Sequence, residues 1–145
     1  MKVYEIMSSP AISVKTTATV QFAAEMMATH NVGALPVTQD GVLVGIVTDR
    51  DVVLRALAPG RSPTATEVHE IMSTAPIALE AGTDVAEAAR VFTDTRIRRL
   101  PIVEDGHPVG MVTVDDIARL WDDDRAILLM VRRVAPRRKR HSSAA

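Results

Sequence analysis

Apolar side chains recur with the period of an amphipathic helix at two places in the chain. At each place the apolar positions follow the spacing i, i+3, i+4, i+7, which is typical of a helix that buries one face. These positions are Val20, Ala23, Ala24 and Met27 in the first place, and Val85, Ala88, Ala89 and Phe92 in the second. Thr19 precedes the first run as a candidate cap, and Asp84 with Glu87 resembles a capping box before the second. We therefore predict two matching helices.

Shorter apolar runs on either side of each helix predict strands. A brief alternating run precedes the helix, and two longer runs follow it around an Asp-Gly pair, which indicates a β-hairpin. The brief strands are predicted at residues 12–14 and 77–79, the Asp-Gly turns at residues 40–41 and 105–106, and a closing helix at residues 49–58 and 114–121. Each unit therefore has the predicted order strand, helix, strand, strand, helix.

The two units are copies of one sequence. A shift of 65 residues aligns residues 3–53 with residues 68–118 without a gap, and 18 of the 51 aligned positions are identical. Unrelated segments would match at about 6% of positions, so the chain contains an internal duplication. One copy of about 50 residues would bury too little surface to be robust alone, so we predict that the copies pack together as one pseudo-twofold module.

Three short stretches present in both copies carry a family resemblance. They are Met7-Ser8 and Met72-Ser73, Leu35-Pro36-Val37 and Leu100-Pro101-Ile102, and Gly45-Ile46-Val47-Thr48-Asp49-Arg50-Asp51 and Gly110-Met111-Val112-Thr113-Val114-Asp115-Asp116. With these motifs residues 1–121 resemble a tandem pair of CBS domains, and the chain is similar in size to small stand-alone actinobacterial CBS-pair proteins of the hypoxic response type. The resemblance implies an α/β (α+β) fold in which two βαββα repeats pack through their sheets as a Bateman module. It also implies two clefts that can hold adenine nucleotides, and a flat homodimer.

The resemblance and the composition divide the chain into five predicted parts. They are CBS repeat 1 at residues 1–58, a Pro/Gly/Ser-containing linker at 59–67, CBS repeat 2 at 68–121, a C-terminal helix at 122–134 and a disordered basic tail at 135–145. Five apolar positions of the C-terminal helix predict a core or dimer contact, because an exposed apolar face marks an interface. These positions are Ile127, Leu128, Met130, Val131 and Val134.

The family motif G-h-h-T/S-x-x-D occurs once in each repeat. The resemblance implies that Thr48 and Thr113 face phosphate and that Asp51 and Asp116 bind ribose hydroxyls. One ionised carboxylate can accept hydrogen bonds from both hydroxyls of a vicinal diol, and a helix N-terminus offers free N–H groups to phosphate. The same residue types are favoured as helix caps, so capping is the alternative interpretation.

The two repeats differ just before the Leu-Pro step. Gly33-Ala34 in repeat 1 is replaced by Arg98-Arg99 in repeat 2. In the family a basic residue at this place often reaches phosphate, which suits the geometry of a guanidinium group. Arg50 is a further phosphate candidate. We predict two unequal sites with the phosphate contacts concentrated at Arg98 and Arg99, and the alternative is a solvated pair of arginines.

An adenine ring needs an apolar slot with few polar partners. By family analogy one slot contains Ile12, Val14, Val32 and Val37, and the other contains Ile77, Leu79, Ile97 and Ile102. The alternative is that these side chains are ordinary core residues. The candidate ligands are AMP, ADP, ATP, NAD and S-adenosylmethionine, and no cofactor is required.

Composition and charge narrow the class of protein. The 145 residues include no Cys and carry a net charge of -1, which combines -7 in residues 1–131 with +6 in residues 132–145. The four histidines have no metal-ligand spacing and no glycine-rich phosphate loop is present, so we predict neither an enzyme nor a metal site. The lack of Cys, of a signal sequence and of a long apolar run predicts a cytoplasmic protein without a membrane span.

Three functions from different classes remain open. The first is a regulatory module that binds an adenine nucleotide or related adenosyl ligand and signals through altered dimer geometry or docking of an unidentified protein target. The second is a constitutive interaction scaffold with empty clefts. The third is an accessory protein that contacts nucleic acid through its basic tail, for which a purely solubilising tail is the simpler interpretation.

Overall fold

The computed structural model describes residues 1–120. Repeat 1 contains β1 (Val14–Lys15), α1 (Val20–His30), β2 (Ala34–Gln39), β3 (Val42–Thr48) and α2 (Asp49–Asp51), which continues as a π-helical segment over Val52–Leu57. Repeat 2 contains β4 (Ser73–Thr74), β5 (Leu79–Glu80), α3 (Val85–Thr95), β6 (Arg99–Glu104), β7 (His107–Thr113) and α4 (Val114–Ala118). A 3-10 turn precedes the first strand of each repeat, at Val3–Glu5 and Val68–Glu70. The predicted C-terminal helix and basic tail lie outside the described residues.

The strands form two sheets, with the orders β1-β2-β3-β4 and β5-β6-β7. In each sheet a short strand runs parallel to the first strand of an antiparallel hairpin. Both hairpin turns have a positive φ at two successive residues, 52° and 79° at Asp40 and Gly41, and 49° and 81° at Asp105 and Gly106. Such turns match the twist of the flanking strands, and Asp-Gly is a favoured pair for them. The predicted mixed fold of two βαββα repeats is confirmed.

The first residues of repeat 1 pack on repeat 2. We name residues 1–13 leading segment 1. The Val3 N–H donates to the Thr83 carbonyl oxygen at 2.9 Å, and the Val3 side chain is fully buried in the core of repeat 2. Ser8 and Met111 exchange two backbone hydrogen bonds of 3.0 and 3.1 Å, which adds the segment to the edge of β7. Leading segment 1 therefore completes repeat 2.

Leading segment 2, which we define as residues 66–78, packs on repeat 1 in the same way. The Val68 N–H donates to the Ala18 carbonyl oxygen at 2.8 Å, and the Val68 side chain is fully buried in the core of repeat 1. Its strand β4 pairs with β3, where Thr74 lies opposite Gly45. The two repeats thus exchange their leading segments, so each core contains side chains from both ends of the duplication.

Two glycines allow the leading segments to approach the sheets. A Cβ atom placed on Gly45 would lie 2.8 Å from the Ser73 carbonyl oxygen, and one on Gly110 would lie 2.7 Å from the Ser8 carbonyl oxygen. Both distances are shorter than a Cβ atom tolerates, and a backbone oxygen cannot move aside as the end of a flexible side chain can. The identity of these glycines in the two repeats follows from the exchange.

The helix starts differ from each other in their caps. The Thr19 hydroxyl accepts a hydrogen bond of 3.1 Å from the Phe22 N–H, so the predicted cap of α1 is confirmed. The predicted capping box at Asp84 is wrong, because the Asp84 side chain accepts no bond from the backbone of α3. Its carboxylate instead lies 3.0 Å from the Lys2 ammonium nitrogen in leading segment 1. A contact between repeats has replaced a local one.

Candidate ligand-binding site

A cavity of about 630 Å³ lies between the two repeats. Sites for small molecules in proteins have volumes of roughly 300–1,000 Å³, so the cavity can hold a ligand of nucleotide size. Its lining residues come from leading segment 1, from the junction of α1 and β2, and from repeat 2. They are Ser8, Ser9, Pro10, Ala11 and Ile12, then His30, Asn31, Val32, Gly33, Ala34 and Pro36, and finally Arg98, Arg99, Gly110, Met111, Thr113, Val114 and Asp115.

The end of α1 places an apolar side chain on the cavity wall. Asn31 has a φ of 51° and ends the helix in the left-handed region, which asparagine adopts more readily than most residues. The Val32 N–H then donates to the Met27 carbonyl oxygen at 3.0 Å, which fixes the turn. Val32 remains partly exposed and lines the cavity together with Ile12. These two side chains form the apolar part of the wall from repeat 1.

The cationic part of the wall comes from Arg98 and Arg99 at the start of β6. The Val114 N–H donates to the Arg98 carbonyl oxygen at 3.1 Å, so the backbone of this step is tied to the start of α4. Among residues 1–120, neither guanidinium group has a carboxylate oxygen within 4.0 Å. Two positive charges therefore border the cavity without an ion-pair partner in the part of the chain that the structure describes.

Arg99 also lies beside a carboxylate of repeat 1. A Cβ atom on Gly33 would lie 3.0 Å from an Arg99 guanidinium nitrogen and 2.9 Å from the Asp49 Oδ2 atom. The missing side chain at Gly33 therefore leaves the space in which these two groups face each other. Asp49 comes directly before Arg50 in the repeat 1 motif, so Arg99 links the cavity to the start of α2.

Thr113 and Asp116 form a reciprocal cap at the start of α4. The Asp116 Oδ2 atom accepts hydrogen bonds from the Thr113 N–H at 2.8 Å and from the Thr113 hydroxyl at 2.7 Å. The Asp116 N–H returns a bond of 3.2 Å to the Thr113 hydroxyl oxygen. The other carboxylate oxygen of Asp116 lies 3.8 Å from the Arg119 guanidinium. Thr113 lines the cavity. Asp116 does not line it, and its side chain belongs to the cap at the start of α4.

Thr48 and Asp51 repeat this arrangement at the start of α2. The Thr48 N–H donates to the Asp51 Oδ2 atom at 2.9 Å, and the Asp51 N–H donates to the Thr48 hydroxyl oxygen at 3.1 Å. The Asp51 Oδ1 atom lies 3.7 Å from the Arg55 Nε atom. Neither residue lines the 630 Å³ cavity, and Arg50 beside them is exposed. The capping geometry that the sequence allowed is thus present in both repeats.

The residues predicted for the two adenine slots separate into wall and core positions. Ile12 and Val32 line the cavity, while Val14 and Val37 are buried in the core of repeat 1. In repeat 2, Ile102 is fully buried, Leu79 and Ile97 pack partly against that core, and Ile77 is exposed. Val37 and Ile102 retain no accessible surface and do not line the cavity, so they are core residues in this structure.

Several lining residues were absent from the sequence-based prediction. Ser9, Pro10 and Met111 line the cavity because leading segment 1 pairs with β7, and His30 with Asn31 lines it because α1 ends there. For the first group, the available signal was the Met-Ser pair, which occurs at the same position in both repeats. Asn31 between a helical pattern and a strand was the signal for the second, because Asn is favoured at a helix C-terminus.

Ionisation is shifted at two surface carboxylates away from the cavity. A hydrogen bond from the Glu67 N–H, reinforced by the Arg61 guanidinium, holds the pKa of Glu70 below its usual value. A hydrogen bond from the Lys2 ammonium group lowers the pKa of Asp84.

Within residues 1–120 no three potential metal-ligating side chains come together. In the same residues, every helix is too short or too polar to cross a bilayer.

The motifs and the duplicated architecture match a known family. The model of the CBS domain matches residues 3–57 and again residues 68–123. This chain belongs to the CBS-domain family. It is similar to the CBS domain-containing protein YhcV of Bacillus subtilis, with 40% identity over 116 residues that cover 80% of this chain and 82% of the relative. It is also similar to Hypoxic response protein 1 of Mycobacterium tuberculosis, with 34% identity over 79% of this chain and 81% of the relative.

Solved structures of CBS pairs superpose on this one. Hypoxic Response Protein I with two coordinated zinc ions matches with a TM-score of 0.76 and 32% identity, covering 83% of this chain and 99% of that one. The CBS pair of protein MJ0100 in complex with 5-methylthioadenosine and S-adenosyl-L-methionine matches with a TM-score of 0.73 and 32% identity over 83% and 94%. CBSX2 in complex with AMP matches with a TM-score of 0.70 and 30% identity over 82% and 94%. The chain is a CBS pair, a class of generally non-catalytic regulatory module.

Proposed function

We propose that this CBS pair binds a phosphorylated adenosine ligand in the 630 Å³ cavity and signals its presence as a non-catalytic homodimer. The observation that carries the proposal is the composition of the cavity wall. Arg98 and Arg99 supply positive charge, Thr113 supplies a hydroxyl group, and Ile12 with Val32 supplies apolar surface. A phosphate group needs the positive charge and the hydroxyl group, and an adenine base needs the apolar surface, within one cavity.

Similar CBS pairs support the class of ligand. CBSX2 binds AMP, and the MJ0100 pair binds 5-methylthioadenosine and S-adenosyl-L-methionine, so adenosine is common to both. The charge of the cavity distinguishes between these ligands in this chain. Two guanidinium groups attract a phosphate dianion and repel a sulfonium cation, so AMP, ADP or ATP is favoured over S-adenosylmethionine. NAD carries phosphate and belongs with the favoured group.

The two repeats contribute different charges. Gly33 and Ala34, the repeat 1 counterparts of Arg98 and Arg99, line the same cavity and bring no charge to it, and Arg50 is the remaining basic residue of the repeat 1 motif. We therefore propose two sites of unequal affinity, with the stronger phosphate site at Arg98 and Arg99. Because the cavity wall belongs to both repeats, a bound ligand changes how the repeats pack on each other. This change alters dimer geometry or the docking of a protein target.

Thermal melting with AMP, ADP, ATP, NAD and S-adenosylmethionine tests the proposal. A ligand at about 100 times its Kd stabilises the folded chain by about 2.7 kcal/mol, which shifts the melting temperature measurably. We expect a shift with AMP that is lost in Arg98→Ala and Arg99→Ala and kept in Arg90→Ala, which removes the same charge from the exposed side of α3. No shift with any of the five compounds would instead support a constitutive scaffold with empty clefts.

The basic tail requires a separate test because it lies outside the described residues. Its candidate partner is nucleic acid, and binding of that kind weakens steeply as salt is added. Removal of residues 135–145 abolishes duplex binding if the tail carries it. Duplex binding that persists without the tail would refute this role.

A further inference from the structure

A second cavity, of about 450 Å³, lies at the start of α3, and we name it the α3 groove. Four of its lining residues are apolar and three are charged. They are Met1, Val85, Ala86 and Leu120, and Asp84, Glu87 and Arg90. Met1 is the first residue of leading segment 1, and Leu120 is the last residue described after α4. The groove therefore lies beside the point at which the chain continues beyond repeat 2.

Repeat 1 fills the corresponding place with the linker. The Gln21 N–H at the start of α1 donates to the Pro63 carbonyl oxygen at 2.9 Å. The Val20 N–H donates to the Thr66 carbonyl oxygen, also at 2.9 Å. The linker thus lies across the first turn of the helix, and Thr66 is buried there with 5% of its accessible surface left.

The same place in repeat 2 is only partly covered by residues 1–120. By the shift of 65 residues Met1 takes the place of Thr66, and its carbonyl oxygen accepts from the Val85 N–H at 3.0 Å. Met1 nevertheless retains 67% of its accessible surface, against 5% for Thr66. Ala86 is the counterpart of Gln21, and no backbone carbonyl among residues 1–120 accepts from its N–H. What covers α1 in repeat 1 has no counterpart over α3 in this part of the chain.

The duplication pairs the linker with residues that follow α4. In repeat 1 the linker follows the π-helical segment, and the shift of 65 residues pairs linker residues 59–65 with residues 124–130. Residues 126–131 are all apolar. Trp121, just after the last described residue, pairs with Ala56, which is fully buried in the core of repeat 1. The chain therefore enters this stretch through a position that is buried in the other repeat.

We infer that residues 121–131 of the same chain occupy the α3 groove and complete repeat 2 as the linker completes repeat 1. Leu128 pairs with Pro63, so its carbonyl oxygen is the acceptor for the Ala86 N–H. The apolar run at residues 126–131 covers the apolar lining of the groove, and both surfaces leave water. The apolar contact predicted for the C-terminal helix is then a contact within one chain. The inference uses neither the ligand nor the homodimer proposed above.

The charges at the groove suit this occupant. The Asp84 carboxylate is already paired with the Lys2 ammonium nitrogen at 3.0 Å. Glu87 and Arg90 have no ion-pair partner within 4.0 Å among residues 1–120. Residues 122–125 are three aspartates and one arginine, so the stretch brings charges of both signs to one acidic and one basic side chain. No charge has to be buried without a partner, which would be strongly destabilising.

A cross-link in the full-length chain tests the inference, because the chain has no Cys of its own. The variant Ala86→Cys/Leu128→Cys is treated with a short bis-maleimide at low protein concentration. We expect a link within one molecule that forms at least about ten-fold faster than in Gln21→Cys/Leu128→Cys, since docking raises the effective concentration of one thiol near the other. The positive control is Gln21→Cys/Pro63→Cys, whose two positions are in contact in the structure.

Three results would overturn the inference while the positive control reacts. The first is the absence of a link between Ala86→Cys and Leu128→Cys. The second is a link that joins two molecules, which would place the stretch in the groove of a second copy. The third is an equal rate in Gln21→Cys/Leu128→Cys, which would show random encounter of the C-terminal residues with the helix starts.

The fluorescence of Trp121, the single tryptophan of the chain, gives a readout without cysteine. We expect its emission at a shorter wavelength than in the denatured chain, and a shift to longer wavelength in Ala86→Glu, which places a carboxylate in the groove. Gln21→Glu makes the corresponding change on repeat 1 and should leave the emission unchanged. Thermal melts check that both variants fold. Unchanged emission in a folded Ala86→Glu variant would refute the proposed position of residues 121–131, whether or not a nucleotide shifts the melt.

Discussion

The Nδ1 atom of His107 donates a hydrogen bond of 2.9 Å to the carbonyl oxygen of Gly41. This contact joins the tips of the two hairpins, and a second bond beside it runs from the Leu43 N–H to the Gly106 carbonyl oxygen, also at 2.9 Å. The two bonds correspond under the pseudo-twofold symmetry. Pro108 occupies the place of Leu43 in repeat 2 and has no N–H, so the imidazole group supplies the missing donor.

Replacement of His107 by Ala should lower the free energy of unfolding by about 0.5–1.5 kcal/mol, because a hydrogen bond between the repeats is lost. Pro108→Leu added to that variant restores a backbone N–H at the symmetric position and should recover part of the loss. Urea denaturation measures both effects, and His30→Ala serves as the control for removal of an exposed imidazole. A further loss of stability on adding Pro108→Leu would contradict this explanation.

Alanine at Gly45 or Gly110 should destabilise the chain by about 1–3 kcal/mol, because the added methyl group meets a carbonyl oxygen of the exchanged leading segment. Gly82→Ala is the matched control, since a Cβ atom there has no neighbour within 4 Å. The midpoint of urea denaturation should fall for the first two variants and stay close to that of the unmodified chain for the third. Equal midpoints for all three variants would show that the approach of the segments is looser than described.

In the proposed complex, the carboxylate of Asp49, which lies beside the guanidinium of Arg99, would compete with phosphate for that group. Asp49→Asn should therefore raise the affinity for AMP about two- to five-fold at low salt, the range expected for a partly exposed pair of charges. Calorimetric titration measures the change, and Asp94→Asn removes the same charge at a distant exposed position of α3. The gain should vanish when Arg99 is already Ala. An equal gain in affinity in the Arg99→Ala variant would show that the effect comes from the overall charge of the protein and not from Arg99.

Acid should weaken the attachment of leading segment 1. The hydrogen bond from Lys2 lowers the pKa of Asp84, so Asp84 contributes stability that is present above its unfolded pKa and is lost as the pH falls through its folded pKa. Between about pH 5 and about pH 3, the unfolding free energy of Asp84→Asn should fall less steeply than that of the unmodified chain. Parallel curves for the two proteins would show that this ion pair does not contribute to the loss of stability in acid.

Local signals predicted the secondary structure because the relevant forces act over a few residues. The spacing of Val20, Ala23 and Met27 specified a buried helix face, and the Asp-Gly pairs specified the hairpin turns. Asp84 followed the local rule for a cap, yet Lys2, distant in sequence, holds its carboxylate. Strands of two residues such as β4 carry almost no periodicity, so the exchange of leading segments was beyond a sequence argument.

The candidate site was only partly predictable for a related reason. Arg98 and Arg99 stood out because the duplication provides an internal comparison with Gly33-Ala34. Val37 and Ile102 could not be assigned to slot or core, because β2 and β6 are buried on both faces and their side chains show no alternation. In such a strand the two sides of the sheet have the same sequence pattern.

The exchanged leading segments make the two halves of the chain interdependent in biosynthesis. A ribosome that has released repeat 1 has not yet delivered Val68 and Ile71, which fill its core, so that repeat cannot complete its fold until leading segment 2 emerges. A polypeptide that contained one repeat could complete its sheet and its core only by exchanging leading segments with a second molecule. The duplicated gene thus encodes as a single chain what one repeat could build only as an intertwined pair.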